Sequence, residues 1–121
     1  MSGRVLFLYN DPTAPAALLG EVFAESGFDS TTFEVVPGSD PVRDVSFPDP
    51  TAYDVVVPLG SRWSVYDERL AWVDGEIALV REALDAGVGV LGVCFGAQLL
   101  AQALGGSVQP ATQPEVGWHP V

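Results

Sequence analysis

The chain has 121 residues, which sets an upper limit of one domain. Arginine is its only basic residue type, and 5 Arg against 16 Asp and Glu leave a net charge of −11, which argues against a nucleic-acid partner and against docking on anionic lipid. Apolar residues make up 48% and charged residues 17%, a balance that suits a packed core and excludes a disordered chain.

Arg4 to Tyr9 is a short, nearly all-apolar run stopped by Asn10-Asp11-Pro12, the pattern of a strand buried on both faces. The run is too short for a signal-peptide core, so a cytoplasmic protein is expected. Thr13 to Ser26 reads as a helix with Ala16, Leu19, Val22 and Phe23 on one face, and Thr31 to Val36 as a second strand rich in β-branched residues. Pro37 to Asp54, studded with Pro and Asp, reads as a solvated connection; its acids lack the spacing of a calcium loop. Tyr53 to Pro58 is a third strand. From Leu70 to Ala86 a helix is predicted, with Leu70, Val73, Ile77, Val80 and Leu84 as its apolar stripe. Asp74, Glu76, Arg81, Glu82 and Asp85 fall on its other faces. Val88 to Val93 is a fourth strand, and Phe95 to Leu104 a helix ended by Gly105-Gly106.

Helices alternating with all-apolar strands imply an α/β fold: a doubly wound, mostly parallel sheet with helices on both faces. No stretch holds ~18 purely apolar residues, so no membrane span is expected. Ligands of such sheets bind beyond the carboxyl ends of the strands, where the loops after Tyr9, Pro58 and Val93 gather.

The only Cys lies at that edge, in Gly92-Val93-Cys94-Phe95-Gly96. A strand enters and a helix leaves, the arrangement of a nucleophile elbow with Cys in place of Ser. Glycines two residues before and two after relieve crowding in the tight turn. The helix N-terminus aims free N–H groups at the sulfur, which favours thiolate, and the Phe95 N–H is placed to stabilise an oxyanion. One Cys excludes an internal disulfide, and with one His it cannot build a four-ligand zinc site; no metal and no cofactor are expected.

Residues 92–106, Gly-Val-Cys-Phe-Gly-Ala-Gln-Leu-Leu-Ala-Gln-Ala-Leu-Gly-Gly, closely resemble the nucleophile segment of class I glutamine amidotransferases. Gly60-Ser61-Arg62-Trp63-Ser64-Val65-Tyr66-Asp67 resembles the family's Gly-Gly-Pro-x-Ser-Val-Tyr-Asp loop. Glu115-Val116-Gly117-Trp118 is similar to a segment of the branch that includes the amidotransferase half of GMP synthase. The resemblance implies a flavodoxin-like sheet and a glutaminase: Cys94 attacks the side-chain amide of glutamine, a glutamyl thioester forms, and ammonia and glutamate leave. It implies catalytic roles for Cys94, Phe95 and Gly60, and glutamine contacts from Gln98, Gly60 and Ser61. Ser61-Arg62 stands where the family has Gly-Pro, so the second oxyanion donor stays open. The ammonia would pass to a synthetase partner.

The family's base is a His followed by an acid, well downstream of the Cys. His119-Pro120-Val121 ends in Val and follows Cys94 too soon, so His119 is expected to be an ordinary residue of that region. Residues 1–121 are therefore expected to be the amino-terminal portion of one amidotransferase-like domain, incomplete at the C-terminus and inactive alone. Its apolar sheet edge invites a homodimer. Two other readings are a catalytically dead module that binds glutamine or a partner, and a PfpI-like Cys protein. The latter has a Glu after the first strand, where this chain has Asn10-Asp11-Pro12-Thr13. A dinucleotide site is excluded because no Gly-x-Gly-x-x-Gly follows that strand.

Overall fold

A computed structural model describes residues 3–105 and the backbone of 116–118. Five strands form one sheet in the order β2-β1-β3-β4-β5. They are β1 (Arg4–Tyr9), β2 (Asp29–Glu34), β3 (Val55–Pro58), β4 (Gly89–Val93) and β5 (Val116–Trp118). The first four run parallel, and β5 pairs with β4 antiparallel, Gly92 opposite Gly117. The helices are α1 (Ala17–Glu25), α2 (Ala71–Asp85) and α3 (Phe95–Ala103). The sheet is the doubly wound one that the apolar strands imply.

Strand alternation sorts the core into two layers. Leu6, Leu8, Val56 and Val90 point to one face, where Val73, Val80 and Ala83 of α2 and Leu99 and Leu100 of α3 cover them. Val5, Phe7, Val57 and Leu91 point to the other face, where Phe23 packs from α1. Phe7 and Phe23 meet edge to face at 5.7 Å between ring centroids, a geometry that aromatic quadrupoles favour.

Several sequence expectations need correction. Helix α1 starts at Ala17 rather than Thr13, because Asp11 and Thr13 close a side-chain-capped turn first. Val22 is 48% exposed; only Phe23 of α1 is fully inside. The second strand occupies Asp29–Glu34, two residues earlier than its β-branched residues suggest, because it pairs in register with β1 from Arg4 onward. The Pro37–Asp54 connection is anchored rather than merely solvated. Val45, Phe47 and Tyr53 pack on the first core layer, and Trp72 Nε1 donates to the Pro41 carbonyl at 2.7 Å. Two of its acids cap turns: Asp40 accepts from the Val42 N–H and Asp49 from Thr51.

The largest difference lies in α2. Its buried residues are Trp72, Val73, Glu76, Leu79, Val80 and Ala83, so Val73 and Val80 of the expected stripe, with Leu70 just before the helix, lie inside, while Glu76 and Ala83 take the places expected of Ile77 and Leu84. Ile77 and Leu84 are only partly covered, and Glu76 is fully buried.

Candidate active site at the carboxyl edge of the sheet

Strand β4 runs straight into α3, and Cys94 is the single residue between them. Its backbone has φ 52° and ψ −111°, in the positive-φ region that residues with a Cβ rarely adopt. The turn holds because both flanking glycines admit close backbone contacts. A Cβ on Gly92 would lie 2.6 Å from the Gly96 carbonyl oxygen and 2.7 Å from the Ala97 Cα. A Cβ on Gly96 would run into the Pro58 carbonyl, so α3 can start only where its backbone touches the end of β3.

The Cys94 carbonyl accepts from the Ala97 N–H at 2.9 Å and the Gln98 N–H at 3.1 Å, which starts the helix. Phe95 follows Cys94 as the first helical residue, and the N–H groups of a first turn have no acceptor inside their own helix. The Phe95 side chain itself is core, 5.8 Å from the Trp72 ring. Cys94 and Gln98 are both half-buried.

The loop after β3 comes up beside the thiol. A Cβ on Gly60 would lie 3.7 Å from the Cys94 Cβ. Ser61 follows, and its hydroxyl oxygen accepts from the Trp63 N–H at 3.1 Å, closing a local turn. Of the residues singled out in the sequence, Cys94, Phe95 and Gly60 thus share one corner. Gln98 lies one turn along α3, and Ser61 one residue beyond Gly60. His119 and Glu115 fall outside the described residues.

The loop after β1, expected at this edge but with none of its residues singled out, holds the corner together. Asn10 Nδ2 donates to the Leu59 carbonyl at 3.1 Å and to Glu76 Oε2 at 2.9 Å. Asp11 Oδ2 accepts from the Arg62 N–H at 3.0 Å and pairs with the Arg62 guanidinium at 3.1 Å. Burial alone would raise the Asp11 pKa. Hydrogen bonds from Thr13 and Arg62, with the Arg62 charge, outweigh it and hold the carboxyl below its usual value. Arg62, which stands where the family has Pro, also lies 4.7 Å over the Trp63 ring. One signal for these residues was available: Asn10-Asp11 sits at the carboxyl end of the first strand, where loops of such sheets converge. Glu76 had another, since it lies four residues after Trp72 and three before Leu79, inside the apolar stripe.

Among the described residues, no group of three His, Cys, Asp or Glu side chains could hold a metal ion, and no helix is long and apolar enough to cross a membrane.

Known proteins share both the sequence and the fold. The profile of the family described as glutamine amidotransferase class-I matches residues 25–120. A GMP synthase (glutamine-hydrolyzing) of Streptomyces coelicolor is 38% identical over 84 residues, which cover 69% of this chain and 14% of that protein. The one from Tropheryma whipplei strain Twist is 51% identical over 47 residues, 39% of this chain and 9% of that protein. A crystal structure of a glutamine amidotransferase from Methylobacillus flagellatus superposes with a TM-score of 0.79 at 24% identity, covering 97% of this chain and 45% of that one. Another, from Thermotoga maritima, gives 0.68 at 26% identity, with 85% of this chain and 43% of that one covered. The chain thus spans less than half the length of the relatives it matches. With the family profile covering most of its length and the expected elbow at the sheet edge, the chain belongs to the class I glutamine amidotransferases.

Proposed function

We propose that Cys94 is the nucleophile of a glutaminase half-site and that the Phe95 N–H and a backbone N–H of the Gly60–Ser61 loop stabilise the oxyanion. The observation that carries this reading is the positive-φ Cys between β4 and α3 with Gly60 beside it. The thiol sits at the N-terminus of α3. Its sulfur adds to the side-chain amide carbon of glutamine. The C–N bond breaks, the nitrogen takes a proton and leaves as ammonia, and a γ-glutamyl thioester remains. Water then adds to that carbon, the C–S bond breaks, and glutamate departs as the thiol regains its proton. Gln98, on the first turn of α3, contacts the substrate. The ammonia goes to a synthetase, a destination that the names of the GMP synthase relatives support, and the compartment we propose is the cytoplasm.

The test is chemical labelling. 6-Diazo-5-oxo-norleucine, a glutamine-like electrophile, is expected to modify Cys94, as mapped by mass spectrometry, and to leave Cys94→Ala unmodified. A maleimide run in parallel reports plain accessibility. Resistance of Cys94 to both reagents in the folded protein would make it a core residue and sink the assignment.

A further inference from the structure

The loop after β1 grips the loop after β3 at both ends. Asn10 holds the Leu59 carbonyl and Asp11 holds the Arg62 N–H, and Gly60 and Ser61 lie between these anchors. At the Asn10 end the support is a fully buried pair, Asn10 with Glu76 from α2. Both hydrogens of Asn10 Nδ2 are in use, one on Leu59 and one on Glu76 Oε2. Asn10 Oδ1 and Glu76 Oε1 are left buried with no partner. Each is an acceptor if Glu76 is ionised, and an unpaired buried acceptor is costly.

A carboxylic acid and a primary amide can pair face to face. One amide N–H reaches the acid carbonyl, and the acid O–H returns to the amide oxygen. The second amide hydrogen stays free for Leu59. A single proton on Glu76 Oε1, donated to Asn10 Oδ1, would satisfy both orphaned oxygens. We propose that Glu76 holds this proton at neutral pH, and that the neutral Asn10–Glu76 pair is the positioning element that fixes the Leu59–Gly60 backbone beside Cys94. Burial pushes Glu76 up to about 8, against the smaller downward pull of the Asn10 hydrogen bond. No charge opposes this. The elements packed most closely against α2 are α3, β4 and the Pro50–Ala52 turn, none with a titratable side chain, and the connection before that turn meets α2 through Pro41 and Phe47. Asp49, next to that turn, accepts from Thr51, and Asp11 faces Thr13 and Arg62.

The reason for fixing Gly60 rests on the glutaminase reading; the shared proton does not. The experiment separates the two. Infrared spectra of the full chain are recorded for wild type and Glu76→Gln through a pH titration. The wild type should show a protonated carboxyl band at neutral pH that the variant lacks and that fades as pH passes about 8. Glu76→Gln reproduces the neutral pair, with an amide N–H in place of the acid O–H, and should keep the wild-type rate of Cys94 labelling by 6-diazo-5-oxo-norleucine. Asn10→Ala should slow that labelling about tenfold or more, the scale of a misplaced reacting group, while labelling by iodoacetamide stays unchanged. An ionised carboxylate at neutral pH, or Glu76→Gln behaving like Glu76→Ala, overturns the proposal. So does unchanged labelling in Asn10→Ala. The wild-type titration decides the protonation even where a variant fails to fold. If wild-type Cys94 takes up neither reagent, the glutaminase reading falls. Hydrogen exchange at the Leu59–Arg62 amides of Glu76→Gln and Glu76→Ala then reads the grip: wild-type protection in the first and loss in the second support it, and equal protection in both overturns it.

Discussion

At Cys94 the backbone sits at φ 52°, a conformation that costs a residue with a Cβ about 1–3 kcal/mol and survives only where its surroundings enforce it. Gly92 and Gly96 provide the enforcement by letting β4, α3 and Pro58 close on the turn. Glu76 is the other residue held against its preference. Its carboxyl ionises near 4.5 when unperturbed and near 8 in the fold, so between those values the folded chain carries one more proton than the unfolded one. The Glu76 contribution to stability should therefore be fully present below that window, fall as pH rises through it by up to about 1.4 kcal/mol per pH unit, and level off above it. Urea unfolding of wild type and Glu76→Gln from acid to alkaline pH checks this. The slope should flatten in the Gln variant, and parallel curves would contradict the assignment. The elbow at Cys94 was legible in the sequence because its geometry depends on near neighbours, Gly92 and Gly96. Glu76 was harder to read: its place inside the apolar stripe was a signal, but a charged residue in a helix is ordinarily placed on the solvent face, and its partner Asn10 is distant in sequence.

Among the elements, α2 and α3 form one unit with the sheet edge. The α3 C-terminus lacks a basic residue of its own, and Arg81 of α2 supplies one: its guanidinium donates to the Ala103 carbonyl at 3.1 Å and to that of Gln102 at 3.2 Å. Both lie at the negative end of the helix dipole; the Ala103 carbonyl is one that a helix end leaves without an intrahelical partner, and the Gln102 carbonyl also accepts from the Gly105 N–H at 3.0 Å. Arg81→Ala should cost about 1 kcal/mol in urea unfolding. Cys94 labelling should persist, since the cap lies at the far end of α3. A loss well above that value would mean that Arg81 also packs through its alkyl stem. The apolar spacing of α2 predicted a helix correctly, but set Ile77 and Leu84 inside where Glu76 and Ala83 lie. Ile77 and Leu84 obey the spacing as well as Trp72 and Ala83 do, and only the approach of α3 and Phe47 decides which set is covered.

For the whole molecule, the strand order places the reversal of the winding between β1 and β3, and the loops after both meet there, next to the end of β4. The 121 residues hold one His, at position 119. We expect purified 1–121 to release ammonia from glutamine no faster than Cys94→Ala, although stoichiometric acylation of Cys94 can still occur. Proton delivery by a placed base contributes about 10²–10⁴-fold to each such step. Multiple turnovers that vanish in Cys94→Ala would show a complete site with His119 as the candidate base. Sedimentation equilibrium on the same sample tests the homodimer expected from the sheet edge.

By itself the sequence determined the alternation of strands and helices, the parallel winding and the elbow at Cys94. These follow from periodicity, turn residues and steric demands within a few positions of the chain. Tertiary structure alone decided that Glu76 lies inside, that Asn10 and Asp11 clamp the Gly60 loop, and that the Pro37–Asp54 connection packs onto α2. Each of these joins segments tens of residues apart, and their free energy comes from burial and from hydrogen bonds whose partners meet only after the sheet has formed.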